Sequence, residues 1–128
     1  MTEESQEPRC ACDAAPKLIF ACSGAADVGH ISDLAARKLA AEGVGKMFCL
    51  AGIGGRVSGI METTKAASAI LAIDGCPLDC ARKTLEGAGL TEFDHLRLCD
   101  LGMEKGRTAA TPEHVERAAT AGRGRLLT

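Results

Sequence analysis

Four short apolar runs punctuate the chain, and each ends in a turn that leads into a stretch with helical spacing. The first, Lys17–Ala21, follows Pro16 and is continuously hydrophobic from Leu18 on, as a strand buried on both faces requires. The others cover residues 46–50, 69–73 and 95–100. Ile31, Leu34, Ala35 and Leu39 recur at helical spacing up to a stop at Gly43, and residues 60–67 read as a second helix. A third helix is expected to open with Cys76 as N-cap and Pro77 at its first position and to run to Gly87. A fourth opens with Thr111 as N-cap and Pro112 behind it. Strand alternating with helix predicts an α/β fold, because parallel neighbours need helical crossovers. The expected architecture is a single three-layer sandwich around a four-stranded parallel sheet, flavodoxin-like or Rossmann-like. In such sheets a ligand lies beyond the C-terminal ends of the strands, near the point where strand order reverses.

A chain of 128 residues is one domain's worth of sequence and buries a core without crosslinks. Residues 1–15 read as a flexible, cysteine-containing tail, 16–122 as the domain, and 123–128 as a frayed C-terminal tail. The net charge of -2 and the interleaving of 15 basic with 17 acidic residues supply no basic stripe, so neither nucleic acid nor an anionic membrane is expected as a partner. The opening residues lack the pattern of a signal peptide, and no apolar run is long enough to span a bilayer. The cytoplasm is the expected location. With three Phe and no Trp or Tyr, a site that stacks bases or sugars on aromatic rings is not expected.

Seven cysteines are the odd feature of this composition. A reducing cytosol leaves them as thiols, and an odd count forbids complete pairing. Cys22 follows the first predicted strand, Cys49 lies near the end of the second, and Cys76 follows the third, at equal intervals of 27 residues (49 − 22 and 76 − 49). Neighbouring parallel strands lie about 4.8 Å apart, so thiols at successive strand ends can converge on one ion. Cys80, four residues beyond Cys76, would share its opening helical turn and serve as a fourth ligand. Four thiolates at about 2.3 Å suit tetrahedral zinc, whereas three leave a position open; iron–sulfur ligation also fits the ligand type but is the lesser expectation. A helix N-terminus at Cys76 would favour thiolate. Any single cysteine at a strand end is more often a small buried hydrophobe. Three at one edge together with a Cys-x-x-x-Cys pair favour a site.

The segment Ile73-Asp-Gly-Cys-Pro-Leu-Asp-Cys-Ala-Arg-Lys-Thr-Leu85 resembles the defining segment of the DGC-domain family, named for the Asp-Gly-Cys that stands here at Asp74, Gly75 and Cys76. The similarity extends to Phe20-Ala-Cys-Ser-Gly-Ala25 and Leu50-Ala-Gly-Ile-Gly-Gly55, and covers most of residues 17–106. The resemblance implies a compact cysteine-rich domain that binds zinc, with no assigned reaction. Cys22, Cys49, Cys76 and Cys80 match the family's cysteine positions; Cys10, Cys12 and Cys99 are not carried over.

Other residues are weaker candidates. Cys10 and Cys12 could add a ligand pair or deliver an ion, and Cys99 could approach the site from the fourth strand. Asp74 and Asp27 could orient ligands, though Asp beside a turn is commonly a cap. His30 sits on the expected site edge as a ligand or proton shuttle. The glycines of residues 51–59 lack the Lys-Ser/Thr ending of a phosphate loop and read as a tight turn. Two functions follow from these residues. The first is thiolate-based metal binding, for handling or sensing a metal or metalloid. The alternative is a thiol catalyst or sulfur-group carrier, in which Cys76 or Cys22 attacks and Cys80 resolves.

Overall fold

The computed structural model of the protein describes residues 15–127. In chain order the elements are β1 (Lys17–Ala21), α1 (Asp27–Ala41), β2 (Lys46–Met47), α2 (Leu50–Gly54), α3 (Ser58–Lys65), β3 (Ala69–Asp74), α4 (Cys80–Gly87), β4 (Asp94–Arg97), a 3-10 turn (Leu98–Leu101) and α5 (Pro112–Leu126). All strand pairs are parallel and the sheet order is β2-β1-β3-β4. This is the order of the first four strands of a flavodoxin-like sheet, as the alternation of elements predicted.

The central strands explain the three layers. Side chains alternate across a strand, and in β1 Ile19 and Ala21 enter one core while Leu18 and Phe20 enter the other. β3 divides likewise, Leu71 and Ile73 against Ile70 and Ala72. The first core is completed by Ile31, Ala35 and Leu39 of α1 with Ala118 and Ala119 of α5, the second by Ile53 of α2 with Ala81 and Leu85 of α4. Continuous hydrophobicity in the sequence therefore records burial on both faces. Among the described residues no helix is long and apolar enough to cross a membrane.

Several boundaries differ from expectation. β2 is only two residues long, because Cys49 turns the chain into α2: its Sγ accepts the Gly52 N–H at 3.3 Å. The glycine-rich segment is thus partly helical. Cys76 is not an N-cap. The turn after it closes through Asp79 N–H to Cys76 C=O (3.2 Å), and Asp79 then adopts a left-handed φ of 55°, which no helix continues through. The helix begins only at Cys80. At the other end α5 continues to Leu126, past the predicted fraying point, because Leu126 is buried in the first core and Lys17 Nζ donates to its carbonyl at 2.8 Å. Thr111 caps α5 as predicted, its Oγ1 accepting the His114 N–H at 3.2 Å. The N-terminal tail, with Cys10 and Cys12, lies outside the described residues.

Candidate functional site

In a sheet of order 2-1-3-4 the direction of winding reverses between β1 and β3, and a crevice opens beyond their C-terminal ends. Cys22 stands there, its N–H bonded to the Ile73 carbonyl at 3.0 Å, so that strand pairing runs through the residue and fixes its backbone. Across from it, β3 ends in Asp74 and the chain enters Gly75 and Cys76. Gly75 has no room for a side chain: a Cβ would sit 2.7 Å from both the carbonyl carbon and oxygen of Val28. Only glycine lets the β3–α4 turn rest directly on the first turn of α1.

Cys22, Cys76 and Cys80 consequently line one cleft of about 460 Å³, with Ala25, Ala26, Val28 and Leu78 among its walls. Cys76 is half-buried against the first core, while Cys80 is exposed at the first position of α4. The Cys22 Sγ lies 3.1 Å from the Ser32 Oγ, which itself donates to the Gly29 carbonyl at 2.8 Å. A hydroxyl has one proton, so with that proton on Gly29 the Cys22 thiol donates to Ser32. Ionised, Cys22 could accept the Ser32 proton instead. Ser23 (φ 48°) and Asp79 (φ 55°), each adjacent to one of these cysteines, hold left-handed conformations that cost a non-glycine residue about 1 kcal/mol or more.

Cys49 faces a different space. Together with Cys22 it lines a second cleft of about 520 Å³, beside Asp33, Arg37 and Phe48. Cys22 therefore stands on the wall common to both clefts. Cys99, in the 3-10 turn, has its Sγ 3.9 Å from Asp100 Oδ1 and lines neither cleft, nor does the exposed His30.

Among the described residues, one group of three metal-ligating atoms from His, Cys, Asp or Glu lies within 4.8 Å of one another: Asp74, Asp79 and His95. It can hold a metal ion, yet each member already has work. Buried Asp74 accepts the N–H groups of Ala81 (2.7 Å) and Arg82 (3.0 Å), performing the capping expected of Cys76, and its Oδ2 lies 2.8 Å from His95 Nε2. Asp79 accepts from Arg97 Nε (3.0 Å) and Arg82 Nη2 (3.2 Å). Burial pushes the Asp79 carboxyl up, but the hydrogen bonds from Arg82 and Arg97 outweigh it and hold the group below the ordinary value. A cation here meets two guanidiniums and must displace bonds that start α4. Cysteine sulfurs are softer donors and line the neighbouring cleft, where their chemistry suits zinc. Thiolates around one zinc ion stand about 3.8 Å apart, from a metal–sulfur length of about 2.3 Å; the three sulfurs of the cleft are not all within 4.8 Å of one another, so they must move to close on an ion.

Two residues of the surroundings were silent in the sequence. Lys105 lines the thiol cleft and has no hydrogen bond or ion pair with a described residue. Its loop is held by Asp27, the first residue of α1: Oδ1 accepts from Val28 N–H (2.7 Å) and Gly106 N–H (2.9 Å), and Oδ2 from Thr108 N–H (3.2 Å). The Gly106 bond leads the causes that lower the Asp27 pKa from 3.8, against burial, which raises it. His95, the partner of Asp74, gave no signal either, since only strand register brings residues 74 and 95 to one face.

The DGC domain model matches residues 18–121, which include the cysteines of both clefts and Asp74, Gly75 and Cys76. A curated relative, the anaerobic and virulence modulator AnvM of Pseudomonas aeruginosa, is 34% identical over 88 residues, covering 69% of this chain and 67% of the relative. No solved structure matches. With its defining tripeptide forming the turn that joins Cys76 to the cleft, the chain belongs to the DGC domain family.

Proposed function

We propose that the cleft at the strand-order reversal is a thiolate site that captures a soft or borderline metal ion, zinc foremost, through Cys22, Cys76 and Cys80. One observation carries this reading: three thiols, just after β1, in the β3–α4 turn and at the start of α4, line one cleft that has no competing carboxylate or imidazole among the described residues. Cys49 joins as a fourth ligand only by turning from the adjacent cleft. Three ligands leave a coordination position open, which suits transient handling or sensing of the ion rather than a closed structural site. The modulator role carried in the name of the AnvM relative is in keeping with a sensing protein. Zinc bound there would hold thiolates in their ionised form and present a Lewis-acidic position. The protein's own groups would position the sulfurs, and Lys105 would offset the negative charge that thiolates accumulate.

Metal content of protein purified without added metal tests the proposal. About one metal per chain is expected, lost in Cys76→Ser and kept in His95→Ala. A folded, metal-free native protein with no affinity for zinc would refute it. A second reading, thiol catalysis or sulfur-group transfer, draws on the Cys22–Ser32–Gly29 hydrogen-bond chain, which can stabilise either charge state of Cys22. In that case alkylation of metal-free protein would reveal one fast thiol at Cys22, slowed in Ser32→Ala.

A further inference from the structure

The thiol cleft is larger and more apolar than an ion needs. Its volume of about 460 Å³ is many times that of one metal ion, and among the described residues its lining contains no carboxylate, imidazole, amide or hydroxyl side chain. The polar groups are the thiols and Lys105; the remaining walls are glycine backbone and the carbon surfaces of Ala25, Ala26, Val28 and Leu78. Leu78, between the two cysteines of the Cys-x-x-x-Cys pair, is 57% exposed and one of three large apolar side chains left in water among the described residues. A hydrated ion makes no use of such walls. A soft centre that carries a hydrocarbon group uses both features at once.

We propose that the cleft binds monoorgano-substituted soft electrophiles, a class represented by trivalent organoarsenicals, with the soft atom on two cysteine sulfurs and the organic group against Leu78 and Val28. The proposal rests on the thiolate reading above and narrows its ligand. For an arsenoxide the step balances without any oxidant: two arsenic–sulfur bonds form, the arsenic–oxygen bonds break, and the oxygen leaves as water with the two thiol protons. Arsenic stays trivalent. Two sulfurs suffice, so the dispersed thiols of this cleft need not all converge.

The test compares phenylarsine oxide with arsenite, which lacks the organic group, on the reduced, metal-free full chain, and refers both to the same pair measured on a small free dithiol. The preference for phenylarsine oxide is expected to exceed that of the free dithiol by about tenfold to a hundredfold, as burial of roughly 60–100 Å² of phenyl surface gives. In Leu78→Ser, a change at an exposed position, the excess preference should fall while affinities for arsenite and zinc hold. Intact mass should show one phenylarsenic adduct formed with loss of water. A preference equal to that of the free dithiol, or one unmoved by Leu78→Ser, overturns the organic-ligand proposal and leaves the thiolate site standing. Failure to bind zinc and both arsenicals by folded protein overturns the thiolate site itself.

Discussion

Replacing Asp74 by alanine removes the group that joins the sheet to the helix carrying Cys80. The carboxylate is 1% exposed and takes three hydrogen bonds, from the N–H groups of Ala81 and Arg82 and from His95 Nε2. Its loss leaves one buried and one half-buried N–H at the start of α4 without an acceptor, at about 1–3 kcal/mol each, and frees His95 of its partner. The total is about 3–5 kcal/mol, the lower figure applying if water enters the space. For a domain of this size each kcal/mol moves Tm by about 4 °C, so a fall of about 12–20 °C is expected. Asp74→Asn keeps one acceptor oxygen and should lose about half as much; His95→Ala, which leaves both backbone bonds intact, should lose least. Thermal unfolding followed by circular dichroism, with urea denaturation as a second axis, reads all three. A Tm for Asp74→Ala within about 3 °C of the parent, or His95→Ala as damaging as Asp74→Ala, would refute this assignment of the load to the cap.

Gly75→Ala should destabilise by about 1–3 kcal/mol, because the new Cβ collides with Val28 backbone, and should weaken zinc binding beyond that loss by moving Cys76 away from Cys22; zinc titration of the folded fraction checks it. Asp27→Ala should release the loop around Gly106 and Thr108, seen as faster amide exchange at those two residues with the sheet unchanged. The pH dependence has a definite sign: the Asp27 pKa is lowered in the folded state, so its contribution is complete above the ordinary value of 3.8 and disappears as pH falls through the depressed folded value. Loop protection should therefore survive at pH 5 and fail in stronger acid, a loss absent from Asp27→Ala. Thr111→Ala should cost about 1 kcal/mol through the lost cap of α5, without altering metal affinity.

The fold was legible because the strands at the centre of the sheet are buried on both faces. β1 and β3 have no polar face to interrupt them, and their hydrophobic runs mark them directly. Boundaries set by side-chain capping were not legible. Nothing local says that Asp74, rather than Cys76, caps α4, because the bond spans seven residues and depends on Asp79 adopting a left-handed turn. The cysteines at the C-terminal edge could be named from spacing, yet the division of Cys49 from Cys76 between two clefts depends on where the chain leaves β2, which the sequence marks only by Cys49 capping a five-residue helix. Ser32 and Lys105 escaped notice because a lone serine within a helix and a lone lysine in a loop look like many others until tertiary contact places them.

X-ray absorption at the metal edge of natively purified protein addresses the central claim most directly, since sulfur and oxygen or nitrogen neighbours differ in both distance and amplitude. A zinc ion with three or more sulfur neighbours at about 2.3 Å, reduced in number in Cys22→Ser and in Cys76→Ser, is the predicted result. A first shell built only of oxygen and nitrogen at about 2.0–2.2 Å, abolished by His95→Ala and untouched by the cysteine substitutions, would move the metal to Asp74, Asp79 and His95 and contradict the account.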